Sequence, residues 1–168
     1  MAVCRFAMAT VAISLVVGTI VAYFLAGSGR RGKSVPDALF MLPLGVSAVT
    51  LGFGFIVALN RPPIDLRGSW VILVIAHSLV AYPFVIRSLL PVLRGLPLNL
   101  REAAAVLGAS APRVFITIDL PIIARALLVG ATFAFAVSMG EFGASLLLVR
   151  PENTTIPVAI FRFLALPG

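Results

Sequence analysis

Residues 102–121 read EAAAVLGASAPRVFITIDLP, and the order of residue types in this stretch dictates two short helical pieces joined by a tight turn. Asn99, just ahead of it, carries a side-chain oxygen that can accept from the free amides of a first helical turn, with Glu102 three residues on placed to reach back. The alanines that follow have small side chains, so the first piece would present a smooth knob that a partner's groove can enclose. Gly108 can adopt the left-handed conformation that ends a helix. Ser110 is placed to open the second piece, where Pro112 is tolerated because first-turn amides have no helical partner. Pro121 then re-aims the chain, since a helix interior does not readily accept proline.

The surroundings of this stretch are strongly apolar. Of 168 residues, 61% are hydrophobic and only 11% are charged, with a mean hydropathy of +1.13. A small globule cannot keep that much apolar surface from water, so the chain belongs in a bilayer. A spanning helix needs about 20 apolar residues at about 1.5 Å each to cross about 30 Å of hydrocarbon. Four segments qualify: Ala7 to Ala26, Ala38 to Leu59, Trp70 to Ile86 and Ala126 to Val149. The third is short, with Trp70 and Arg87 predicted at its two interfaces.

Basic residues set the orientation, because cytoplasmic loops hold an excess of Lys and Arg. Arg30, Arg31 and Lys33 follow the first span, and Arg87, Arg94, Arg101, Arg113 and Arg125 lie between the third and fourth or at their ends. Alternating crossings put these eight on one side, against Arg5, Arg61, Arg67 and Arg150 on the other. Residues 102–121 are thereby predicted to be cytoplasmic and the amino terminus extracytoplasmic. The net charge of +7 is read as topology, not as a nucleic-acid surface, because the basic residues are split among short loops with no aromatic stacking platform.

The spacing within residues 102–121 fits Glu-Ala-Ala, three residues, Gly, nine residues, Ile, one residue, Leu-Pro at every fixed position. It resembles the cytoplasmic loop of ABC importer permeases, the inner-membrane components of binding-protein-dependent transport systems. The resemblance implies an all-α membrane protein, a polytopic helical bundle of the type I ABC importer permease kind. On this chain that means about four full spanning helices plus a short C-terminal interfacial helix. Residues 1–168 form a single transmembrane domain, with the coupling loop at 94–125. Glu102, Ala103, Ala104, Gly108, Ile118, Leu120 and Pro121 are the implied contacts to a separate ABC ATPase. A second permease core, from another copy or a fused half, an extracytoplasmic solute-binding protein and membrane lipid are the other implied partners. No cofactor or metal is implied, and ATP hydrolysis falls to the partner.

Gly140-Glu141-Phe142-Gly143, near the outer end of the fourth span, resembles the region near the gate of such permeases. A carboxylate at membrane depth needs a partner or water. Two readings stand side by side: a gate residue, and a carboxylate that reaches the interface or bonds a neighbouring helix. Together with residues 77–94 and Thr155-Ile156-Pro157, this region looks most similar to permeases for thiamine or ferric iron, with oxyanion permeases for molybdate or sulfate ranked next. Residues 156–166 are too few to span and are predicted to form an interfacial helix. Such permeases continue into one further spanning helix, so the chain is expected to be a fragment or half of a fused permease.

Several attractive alternatives are refused. Residues 27–34, GSGRRGKS, satisfy the phosphate-loop pattern, but they follow a membrane helix with no strand and no metal-binding acid around them. His77 is the only histidine and Cys4 the only cysteine, which leaves no ligand set; a packing histidine bonded to a backbone group or a serine is expected. No nucleophile has an adjacent base. A non-transporting scaffold that keeps the loop is the main rival class, and a secondary transporter is disfavoured by the absence of repeats and paired membrane charges.

Overall fold

The computed structural model describes residues 2–27, 34–61, 64–65, 69–149 and 154–165. The phosphate-loop-like run at 27–34 falls almost wholly outside them, as do Arg67 and Arg150. The described residues are mostly helical, with one short two-stranded ladder. Helix α1 spans Ala2–Gly27, α2 Ser34–Gly45 and α3 Ala48–Ala58. Strands β1 (Asn60–Arg61) and β2 (Ile64–Asp65) pair antiparallel ahead of α4, Trp70–Arg94. Then come α5 (Leu98–Val106), α6 (Ala111–Val114), a π-turn (Phe115–Asp119), α7 (Leu120–Gly140), α8 (Gly143–Leu148) and α9 (Ile156–Leu164).

Among the described residues three helices are long and apolar enough to cross a membrane, or four spans if the bent pair α2 and α3 is one. Helix α1 buries Ala7, Thr10, Val11, Ser14, Gly18, Val21, Ala22 and Leu25, one stripe at three- and four-residue steps. Its other face, with Met8, Val16, Ile20 and Phe24, is more than half exposed, as suits a helix whose back meets lipid. The stripe packs on α4, the central helix. Phe6 stacks on Trp70 at one end, and Ala22 clusters with Leu89 and Leu93 at the other, so α1 and α4 run in the same direction. Ile123 and Ala126 of α7 join that second cluster, whereas Ala134 meets Ala81, so α7 runs the opposite way.

Val85 sits where the three helices press closest. A Cβ added at Gly18 would lie 2.7 Å from the Val85 Cβ, and one at Gly130 would lie 3.1 Å from its Cα. Small residues permit such approach in a membrane bundle, where packing rather than water exclusion holds helices together.

The structure corrects three boundaries. The third span is not short: α4 has 25 residues, begins with Ser69 accepting from the Val71 amide at 3.2 Å, and passes through Pro83 and Pro91 to Arg94. Arg87, predicted at an interface, lies inside that helix. The second span is not one rod, because α2 and α3 bend by 99° at Val46 and Ser47. Pro43 and Gly45 just before the bend weaken the helix there. The fourth span starts earlier and ends sooner than Ala126 to Val149: helix is continuous from Ala111 to Gly140 and breaks at Glu141 and Phe142. The short helix at the carboxyl end is present as α9, which has nine residues.

Candidate functional site

At the end of the bundle where α1 and α4 finish, the chain leaves α4 through Gly95, whose amide donates to the carbonyls of Pro91 and Val92 at 3.0 and 3.1 Å. Helix α5 begins at Leu98, one residue before the expected cap. Asn99 therefore lies inside the first turn, where its Oδ1 accepts from the Leu100 amide at 3.1 Å. That shift places Glu102 at the fifth helical position, exposed and too late to reach back to the start.

The other end of α5 is tightly made. Gly108 has φ of +78°, its amide donates to Ala105 O at 2.9 Å, and the Ala109 amide donates to Ala104 O at 2.9 Å. These two bonds form the Schellman arrangement, which satisfies the last helical carbonyls without a side chain. Ala103 and Gly108 are exposed and Ala104 is half-buried. At the tip, Val106 and Leu107 are 87% and 86% exposed, the largest values among the exposed large hydrophobic side chains described.

The chain then returns through α6. Ser110 occupies the cap position with extended backbone but makes no side-chain capping bond, and Pro112 sits in the first turn as expected. Pro121 does not break the helix. Its missing N–H and its ring conflict with the carbonyl four residues back, at Thr117, and the chain answers by widening into the π-turn over Phe115–Asp119 before α7 continues. Ile118 is half-buried, while Leu120 and Pro121 are exposed.

Asp119 is the residue in this return limb that sequence reasoning passed over. It is 6% exposed, and it accepts twice from Arg101 of α5: Nε to Oδ1 at 2.9 Å and Nη2 to Oδ2 at 2.7 Å. This fork-on-fork geometry is the strongest form of the Arg–carboxylate pair. The hydrogen bond to Asp119, against a smaller opposing effect of burial, holds the Arg101 guanidinium above its usual range. Tyr23, near the end of α1, lies within electrostatic reach of both partners. The ion pair itself joins α5 to the base of α7.

At the opposite end of α7, Gly140 is exposed and Glu141 is half-buried. Glu141 Oε1 accepts from the Ala144 amide at 3.0 Å, so the carboxylate caps the short helix α8 across the break. Phe142 packs on Phe161 of α9 with ring centres 5.4 Å apart. A Cβ at Gly143 would come within 3.1 Å of both Ala48 and Val49, and one at Gly52 within 3.0 Å of the Ala144 Cα, so α8 and α3 touch almost backbone to backbone. His77 of α4 stands behind this break. Its Nδ1 lies 3.1 Å from Ser138 Oγ on α7 and its Nε2 lies 2.8 Å from Ser145 Oγ on α8. A neutral ring donates one of these bonds and accepts the other. No cluster of three metal-ligating side chains occurs among the described residues.

Residues 6–165 match the family described as "Binding-protein-dependent transport system inner membrane component". The chain belongs to this family. It is thus a multi-pass inner-membrane permease of an ABC import system. It is 36% identical over 169 residues to the molybdenum transport system permease protein ModB of Haemophilus influenzae, covering 92% of this permease and 74% of the relative. It is 33% identical to ModB of Escherichia coli K12, covering 94% and 75% respectively. Sulfate permease 2, chloroplastic, of Chlamydomonas reinhardtii is 35% identical over 82% of this permease and 40% of its own length.

These relatives fit the oxyanion permeases, ranked second from the sequence, better than the thiamine or ferric-iron permeases ranked first. Of the segments behind that first ranking, residues 77–94 lie in α4, and Gly140 to Gly143 span the break between α7 and α8.

Proposed function

We propose that this permease forms the membrane path for a tetrahedral oxyanion, and that α5 with the Gly108 turn is the knob on which a separate ATPase docks. The observation that carries the docking is the bare tip: Val106 and Leu107 stand almost fully exposed on a short segment past the end of the spanning helix α4. Two aliphatic side chains on a rigid, self-capped knob suit a hydrophobic groove in a partner. Glu102 and Ala103 share the exposed surface around them, while Gly108, Ile118, Leu120 and Pro121 shape the return limb. The basic-residue asymmetry supports a cytoplasmic knob and an extracytoplasmic amino terminus.

What supports an oxyanion is the set of relatives, whose names specify molybdenum and sulfate. Molybdenum in aerated water is molybdate, a tetrahedral dianion like sulfate. A soluble binding protein on the outer side would deliver it, and a second permease core would complete the path. The Gly140-Glu141-Phe142-Gly143 break, with Phe142 against α9, is the element proposed to gate the outer side. ATP-driven closure of the ATPases would draw the knobs together and reorient the bundle as rigid bodies.

The test is reconstitution of the permease with its ATPase and binding protein in proteoliposomes, followed by ATP-dependent uptake of labelled molybdate, sulfate, thiamine and ferric iron. Uptake of molybdate or sulfate alone supports the reading. Uptake of thiamine or iron would overturn the choice of solute, and no uptake of any solute by an assembled complex would favour a scaffold.

A further inference from the structure

We propose that Arg101 and Asp119 are positioning residues whose ion pair makes the knob and the base of α7 move as one body. The inference rests on the docking role assigned above to the knob, and it concerns how a displacement leaves the knob once the ATPase has moved it.

Follow the backbone from α5 to α7. It passes first through the Gly108 turn, where φ is +78°, then through the four residues of α6, then through the π-turn at Phe115–Asp119. Neither junction is regular α-helix. Each is a place where a push on α5 can be absorbed by a change of backbone angle before it reaches α7. Backward from α5, the link to α4 is the Gly95-Leu96-Pro97 connection, which also lies outside a helix. By backbone alone, α5 is joined to the bundle through loose couplings at both ends.

The side chains close the triangle. Arg101 lies on α5, one residue before Glu102, and Asp119 ends the π-turn directly below Leu120. The two are 18 residues apart in sequence and are joined by two hydrogen bonds at 2.9 and 2.7 Å. Two parallel bonds fix orientation as well as distance, which a single contact cannot do. The carboxylate is buried and the guanidinium side chain is 37% exposed, so the pair sits at the seam between knob and bundle. A displaced knob therefore pulls on α7 directly through this pair, without relying on the Gly108 turn and the π-turn between them.

The test uses the assembled importer in proteoliposomes and reads ATP hydrolysed and solute taken up in the same sample. Arg101→Gln and Asp119→Asn are expected to keep the ATPase bound and hydrolysing while uptake per ATP falls about tenfold, within the usual range of coupling between linked sites. Arg101→Lys, which keeps the charge and loses the fork, should fall between these variants and the parent. The swapped pair, Arg101→Asp with Asp119→Arg, should recover much of the lost uptake per ATP. An unchanged ratio in the single variants overturns the proposal, and so does a swap that recovers nothing. Where a single variant does not assemble, the swap decides: recovery of both assembly and ratio supports the strut. Leu107→Glu, at the bare tip, separates this proposal from the docking reading beneath it. Loss of the ATPase from that variant supports docking, whereas retention of a fully active ATPase complex would remove docking and the strut with it.

Discussion

The two ends of α7 are anchored by different physics. At Asp119 the helix is tied to α5 by one ion pair across a seam, and the element on the far side, α5, otherwise touches little and exposes its tip. At Ser138 the helix is tied through His77 to Ser145, inside a region where α3 and α8 meet almost backbone to backbone. One end is a lever on a single strut; the other is a wedge held by close packing. A lever can be pushed without unfolding anything, whereas a wedge must stay shut or shift as a whole.

This contrast can be broken in order of expected effect. Replacing both Gly18 and Gly130 by Leu drives side chains into Val85 from two sides, and overpacking of this kind costs about 1–3 kcal/mol at each site. The expected outcome is loss of the monodisperse peak in size-exclusion chromatography after detergent extraction. His77→Ala leaves two serine hydroxyls unpartnered inside the bundle, at about 1–3 kcal/mol for each unsatisfied group. A lowered midpoint in a thermal melt followed by Trp70 fluorescence would show it, and an unchanged melt would mean that the wedge is held by packing alone.

Gly108→Ala forces a Cβ into the left-handed region, at about 1–2 kcal/mol. Because the site is on the lever, the strain should appear as faster hydrogen exchange in α5 while the melt of the whole protein stays put. If the melt falls as far as for His77→Ala, the two ends are not mechanically distinct. Glu141→Ala removes the cap of α8, at about 1 kcal/mol. Glu141→Gln keeps an acceptor for the Ala144 amide and should melt with the parent, so any uptake defect in it would belong to the charge and not to the fold.

The fixed spacing from Glu102 to Pro121 made the family and the helix–turn–helix legible, because Gly108 and Pro112 act locally and their signals survive without a structure. Asp119 was not legible. It occupies the unspecified position between Ile118 and Leu120, and only folding brings it to Arg101. The length of α4 was underestimated because Arg87 resembles an interface residue, yet the helix runs on through Arg87 and Pro91 to Arg94. The second span was drawn as one segment, and its bend of 99° depends on what α3 packs against, here Gly143 and Ala144. The serine partners of His77 lie 61 and 68 residues away, beyond any periodic signal.

The bare tip has a bearing on the protein's life before assembly. On the docking proposed above, a copy synthesised ahead of its ATPase would present Val106 and Leu107 with nothing over them, the kind of signal by which quality control recognises an orphan subunit. That docking would call for balanced synthesis of the two proteins, and surplus permease should then be the first component that proteases remove.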